Sequence, residues 1–166
     1  MAQDRIVSPS RGAMKEQVMP ATPFTRILVA TGGSPWSERA LTVAMQMAQA
    51  YRLEVVVVAV LTPAYVPRKK ATWGVATTAD VEESSRQRAQ RVLDGASMLA
   101  QAYGLKHVCE LREGRAVEQI LAAAEAHRCD LIIIGSRGLS GVSRVTLGET
   151  GNEVLLKSAI PVMVVK

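Results

Sequence analysis

The stretch "ILVATGGSPWSERAL", Ile27 to Leu41, decides the fold. The run from Arg26 to Thr31 is apolar without a break after its first residue, as a strand buried on both faces requires. It ends in Thr31-Gly32-Gly33, where two residues without a Cβ let the backbone turn tightly and let another group approach it. Ser34 followed by Pro35 reads as a helix N-cap and a first helical residue. Ala40, Val43, Ala44, Met47 and Ala48 then recur at helical spacing, which carries the helix to about Tyr51.

Outward from this unit the alternation repeats. Leu53–Leu61, "LEVVVVAVL", is a second buried strand rich in β-branched valine. Residues 62–78, with Pro63, Pro67 and Gly74, read as a loop. Asp80 is placed to cap a long helix with Val81, Val92, Ala96, Leu99 and Tyr103 on one face. Glu82 and Arg86 are spaced as an i,i+4 ion pair on the other face, and Gly104 ends the helix. Lys106–Glu113, "KHVCELRE", alternates: Glu110 and Arg112 face one way, Cys109 and Leu111 the other, as in an edge strand with one wetter face. Val117, Ile120, Leu121 and Ala124 mark a third helix, and Asp130–Gly135, "DLIIIG", another buried strand. After a glycine-rich segment, a short helix is expected from about Gly148 to Ser158. Pro161 stops it and "PVMVVK" closes the chain as a last strand.

The pattern βαβαβαβαβ implies an α/β fold, a five-stranded parallel sheet with helices on both faces. The strand orders 2-1-3-4-5 and 3-2-1-4-5 both fit five strands, and the wetter third strand, placed at an edge, selects 3-2-1-4-5. The connections then reverse between the first and fourth strands, and ligands of open parallel sheets bind at the carboxyl ends of strands at such a switch point. Thr31–Ser34 and Gly135–Gly138 are the loops at that point, and both follow a buried strand with glycine.

The second of these loops carries the chemistry. From Gly135 the chain reads G-x-x-G to Gly138, then nine residues, then Gly148. The amides that open the last helix, Gly148 to Gly151, have no intrahelical partners and lie at the positive end of the helix dipole, where phosphate binds. Arg137 and Arg144 add positive charge to the segment. No paired carboxylates, Ser/His/Asp order or metal cluster stands out, and His107 and His127 read as structural residues.

The totals narrow the class. A chain of 166 residues with 48% hydrophobic and 21% charged residues suits one soluble domain. No apolar run approaches the roughly 20 residues of a membrane span. Residues 1–23 are polar, broken by proline and glycine and without an apolar leader core, so they read as a flexible arm before a domain over 24–166; cytoplasmic residence is the expectation. The net charge of +5 is spread along the chain and aromatics are 4%, which argues against nucleic acid as a partner. Cys109 and Cys129 read as reduced core thiols.

Three segments in order resemble the universal stress protein family. "ILVATGGSPWSERAL" resembles its first strand, turn and helix; G-x-x-G, nine residues, G resembles its nucleotide motif; "KSAIPVMVVK" resembles its usual close. The resemblance covers about Phe24 to Lys166 and implies a fold of the adenine nucleotide alpha-hydrolase type. It also implies a role in stress survival, ATP or AMP as ligand with magnesium as a possible companion, and a homodimer through the last strand. Val162, Met163, Val164 and Val165 suit that dimer, since an apolar edge strand calls for a cover. Carried over by residue, the nucleotide site comprises Ala30, Thr31 and Gly32 from the first turn and Val60 from the second strand. Ile134, Gly135, Ser136, Arg137, Gly138, Gly148, Glu149 and Thr150 complete it from the fourth strand and the motif. Two positions depart from the family pattern: Gly32 stands where ATP-binding members carry Asp, and Glu149 where they carry a hydroxyl. Two other readings stand beside a regulatory protein with a partly degenerate nucleotide site. One is a nucleotide-free dimeric module acting on an unknown protein partner. The other is a slow ATP-hydrolysing or adenylating enzyme, to which "TGGSPWS" has a partial likeness.

Overall fold

The computed structural model describes residues 22–62, 78–137 and 147–166, with side chains of the second helix from residue 83 onward. Gly138, Arg144, Lys69, Lys70 and Trp73, and the arm up to residue 21, lie outside the described residues.

The elements are β1 (Arg26–Ala30), α1 (Pro35–Tyr51), β2 (Glu54–Leu61), α2 (Thr78–Ala102), β3 (His107–Glu113), α3 (Ala116–Ala126), β4 (Leu131–Gly135), α4 (Glu149–Lys157) and β5 (Val162–Val165). The strands form one parallel sheet in the order β3-β2-β1-β4-β5. Leu28 lies between Val56 and Ile132 in register. Each central strand is apolar on both sides because each side faces a separate core. Ile27, Val29, Val55, Val57 and Ile133 pack with α1 and α2, while Leu28, Val56, Val58, Ile132 and Ile134 pack with α3 and α4. Cys129 is buried in the second core, and burial pushes its thiol up to about 11, so it stays a protonated apolar group near neutrality.

The edge position of β3 follows from its two faces. Cys109 and Leu111 pack against the first core. On the other face Glu110 accepts a hydrogen bond or ion pair from His127 Nε2 at 2.9 Å, and Arg112 Nε lies 3.1 Å from the same carboxylate. One expectation for the second helix is corrected. The second helix begins at Thr78, so Asp80 lies within its first turn instead of capping it. Arg86 pairs with Glu113 at the end of β3, tying helix to strand, and the side chain of its expected partner Glu82 lies outside the described residues. At the amino ends of the strands, Asp130 accepts from Thr25 N at 2.7 Å and from Arg26 N at 3.1 Å, which fixes where β1 enters the sheet. It precedes β4 and is not part of it. Among the described residues no helix is long and apolar enough to cross a membrane.

Candidate functional site

At the carboxyl ends of β1 and β4 the chain leaves the sheet in opposite directions, and a cleft of about 180 Å³ opens there. Its floor is apolar: Ala30, Val58, Val60 and Ile134 supply it from β1, β2 and β4. Ala116 and Ile120 of α3 form one wall, and the Thr31–Gly32 turn with the start of α1 forms another. Thr150 and Gly151 close it from the first turn of α4, and Arg137 stands at its edge.

The turn is rigid for reasons its sequence encodes. Ser34 is the N-cap of α1 and forms a reciprocal box with Ser37: Ser37 N donates to Ser34 Oγ at 3.2 Å, and Ser34 N donates to Ser37 Oγ at 2.9 Å. Thr31 is 5% exposed, and its N–H donates to Val58 O at 2.9 Å. Gly33 has φ of +73°, and a Cβ there would sit 2.9 Å from Val92 Cγ2, so glycine is required. Gly32 is different. Among the described residues no atom lies within 4 Å of a Cβ built on it, and its φ is not in the left-handed range. The missing side chain at Gly32 therefore leaves open space in the cleft's wall.

The second loop divides into structural and exposed parts. A Cβ on Gly135 would meet Trp36 C and O at 2.6 Å and Ser37 N at 2.8 Å, so this glycine lets the first turn of α1 rest on the end of β4. Ser136 is buried; its N–H donates to Val165 O at 2.7 Å and its carbonyl accepts from Gly148 N at 2.9 Å. Gly148 is the N-cap of α4, and its amide is thus already occupied. Among the expected phosphate donors this leaves the amides of Glu149, Thr150 and Gly151, which no capping side chain satisfies. The Glu149 side chain is exposed and is not among the described residues that line the cleft.

The structure therefore brings Ala30, Thr31, Gly32, Val60, Ile134, Gly135, Arg137 and Thr150 to one cleft. Ser136 and Gly148, bonded to each other through their backbones, are not among its described lining, and Glu149 is exposed. Three features were not read from the sequence. Ser37 as the return half of the capping box was legible in the S-x-x-S spacing. The contact of Gly135 with α1, and the seating of Arg137 over the Trp36 ring at 5.1 Å from its centroid, depend on tertiary packing. Among the described residues no group of three or more His, Cys, Asp or Glu is placed to hold a metal ion.

A five-stranded parallel sheet of this order with a cleft at its switch point defines an adenine nucleotide alpha-hydrolase-like fold. The sequence matches the universal stress protein family over residues 23–166, and the chain belongs to that family. It is 33% identical over 147 residues to a universal stress protein of Thermus aquaticus, a match that covers 86% of this chain and 99% of that protein. Among solved structures it resembles the universal stress protein UspA from Lactobacillus plantarum, with a TM-score of 0.75 and 21% identity, covering 88% of this chain and 100% of that one. It also resembles a universal stress protein from Archaeoglobus fulgidus in complex with dAMP, with a TM-score of 0.60 and 22% identity over 86% of this chain and 98% of that one.

Proposed function

We propose that this chain is a dimeric regulatory protein of the universal stress type whose switch-point cleft holds an adenine nucleotide, ATP or AMP. One observation carries the reading: a single cleft joins an apolar floor of strand ends to two uncapped helix-start residues, Thr150 and Gly151, whose amides are free of a side-chain cap. The floor suits a flat base, and the amides suit a phosphate. The dAMP complex of a relative supports the same class of ligand. In this arrangement Ala30, Val60 and Ile134 contact the base, the amides of Thr150 and Gly151 face the phosphate, and Glu149 stays in solvent. The open space at Gly32 leaves the ribose side without a side-chain partner, which weakens affinity by roughly tenfold where a charged hydrogen bond is lost. The dimer forms through β5, whose four residues are half-buried at the edge of the sheet. Leu155 and Leu156 are exposed apolar residues of α4, the element that precedes β5.

Titration calorimetry with ATP, ADP and AMP, each with and without magnesium, tests the reading. Saturable heat with at least one of them is expected, and no heat and no thermal shift at millimolar nucleotide refutes it. The second reading, a nucleotide-free dimeric module for a protein partner, is favoured by the same two departures, Gly32 and Glu149. It predicts the refuting result together with an intact dimer.

A further inference from the structure

We propose that Arg137 reads the negative charge of the ligand and that Trp36 is the positioning residue that holds it at the cleft's edge. This rests on the nucleotide reading for the identity of the ligand and deepens it: the cleft selects an anionic nucleotide over the uncharged nucleoside. The placement starts in the backbone. Gly135 lets the first turn of α1 lie against β4, with Trp36 C and O 2.6 Å from where its Cβ would be. Two residues on, the carbonyl of Arg137 accepts from Ser34 Oγ at 3.3 Å. Its guanidinium lies over the Trp36 ring, 5.1 Å from the centroid, within the roughly 6 Å at which a cation is attracted by an indole face. Backbone and side chain of Arg137 are thus both tethered, and the residue lines the cleft.

A second cation stands at the same ring outside the described lining of the cleft, so the anion trap itself is Arg137 held by Trp36. Arg39, one turn along α1, places its guanidinium 5.1 Å from the same centroid. Two positive charges held at one ring lie within roughly a Debye length of each other, about 8–10 Å, and repel. Among the described residues neither has a carboxylate partner, since every described ion pair involves other groups. An anion entering the cleft meets, in Arg137, a guanidinium whose rotamer freedom is already reduced by the ring and the backbone tether. Glu149 is exposed and is not among the described residues that line the cleft.

The test compares AMP with adenosine by calorimetry on the full chain. Arg137→Met lowers AMP affinity about tenfold or more and leaves adenosine unchanged, and Trp36→Phe keeps most of the AMP preference. Trp36→Leu loses most of that preference, and combined with Arg137→Met it costs no more than Arg137→Met alone. A preference for AMP that survives Arg137→Met, or single effects that multiply in the double variant, overturns the proposal. A second measurement does not depend on nucleotide. In a Trp73→Phe background, pyrophosphate changes the fluorescence of Trp36, and Arg137→Met abolishes the response. That response without any nucleotide binding supports the anion trap while refuting the nucleotide reading; its absence overturns the trap whatever nucleotide does.

Discussion

At the scale of single residues, three glycines with one spelling do different work. Gly33 is required by a left-handed φ and by Val92, Gly135 by the backbone of α1, and Gly32 by neither. Gly32→Asp should therefore leave stability within about 0.5 kcal/mol of the parent, while Gly135→Ala should cost about 1–3 kcal/mol through overpacking against unyielding backbone. Urea unfolding of the two variants measures both. If Gly32 marks a lost ribose contact, Gly32→Asp also raises nucleotide affinity. The sequence identified all three positions as a turn and a loop at strand ends, but the reason for Gly135 was not legible there. It resides in Trp36, a residue about a hundred positions away that only the folded sheet brings near.

At the scale of elements, the helices and strands were legible because each buries a pattern of apolar side chains with its own period. β3 could be placed at an edge because Glu110 and Arg112 need a polar face, which the His127 contact supplies. The ends of α2 were less legible, since Asp80 is a good cap by type but lies two residues inside the helix. The cap of α1 is both local and tertiary. Ser34→Ala should destabilise the fold by about 1 kcal/mol. It should also loosen Arg137, whose carbonyl loses its donor, so anion affinity falls along with the melting temperature. Glu110 gives the β3–α3 contact a pH dependence. Burial pushes its carboxyl up, but Arg112 and His127 more than offset this and hold it below the usual carboxylate range. A group depressed in the fold contributes stability above its unfolded value, and that contribution is lost as pH falls through the folded value. Glu110→Gln should therefore lower stability near neutrality and flatten its loss below about pH 4.5, seen by thermal melts across pH.

At the scale of the whole molecule, the sheet has two unlike edges. β3 is guarded by charge, whereas β5 is short and apolar, and Leu156 on α4 is 75% accessible. That asymmetry argues for a second copy at β5. Leu156→Lys, at a site where it cannot disturb the core, should weaken the proposed dimer about tenfold or more in sedimentation experiments without lowering the melting temperature; unchanged sedimentation would remove α4 from the proposed interface. The binding claim depends on where ligand touches the sheet, so its most direct measurement is the mapping of backbone amide resonances during addition of AMP. Saturable shifts clustered at Ala30, Gly32, Val60, Arg137, Thr150 and Gly151 are expected. No shifts at millimolar AMP, ADP and ATP, or shifts confined to residues away from the ends of β1 and β4, would contradict the binding claim.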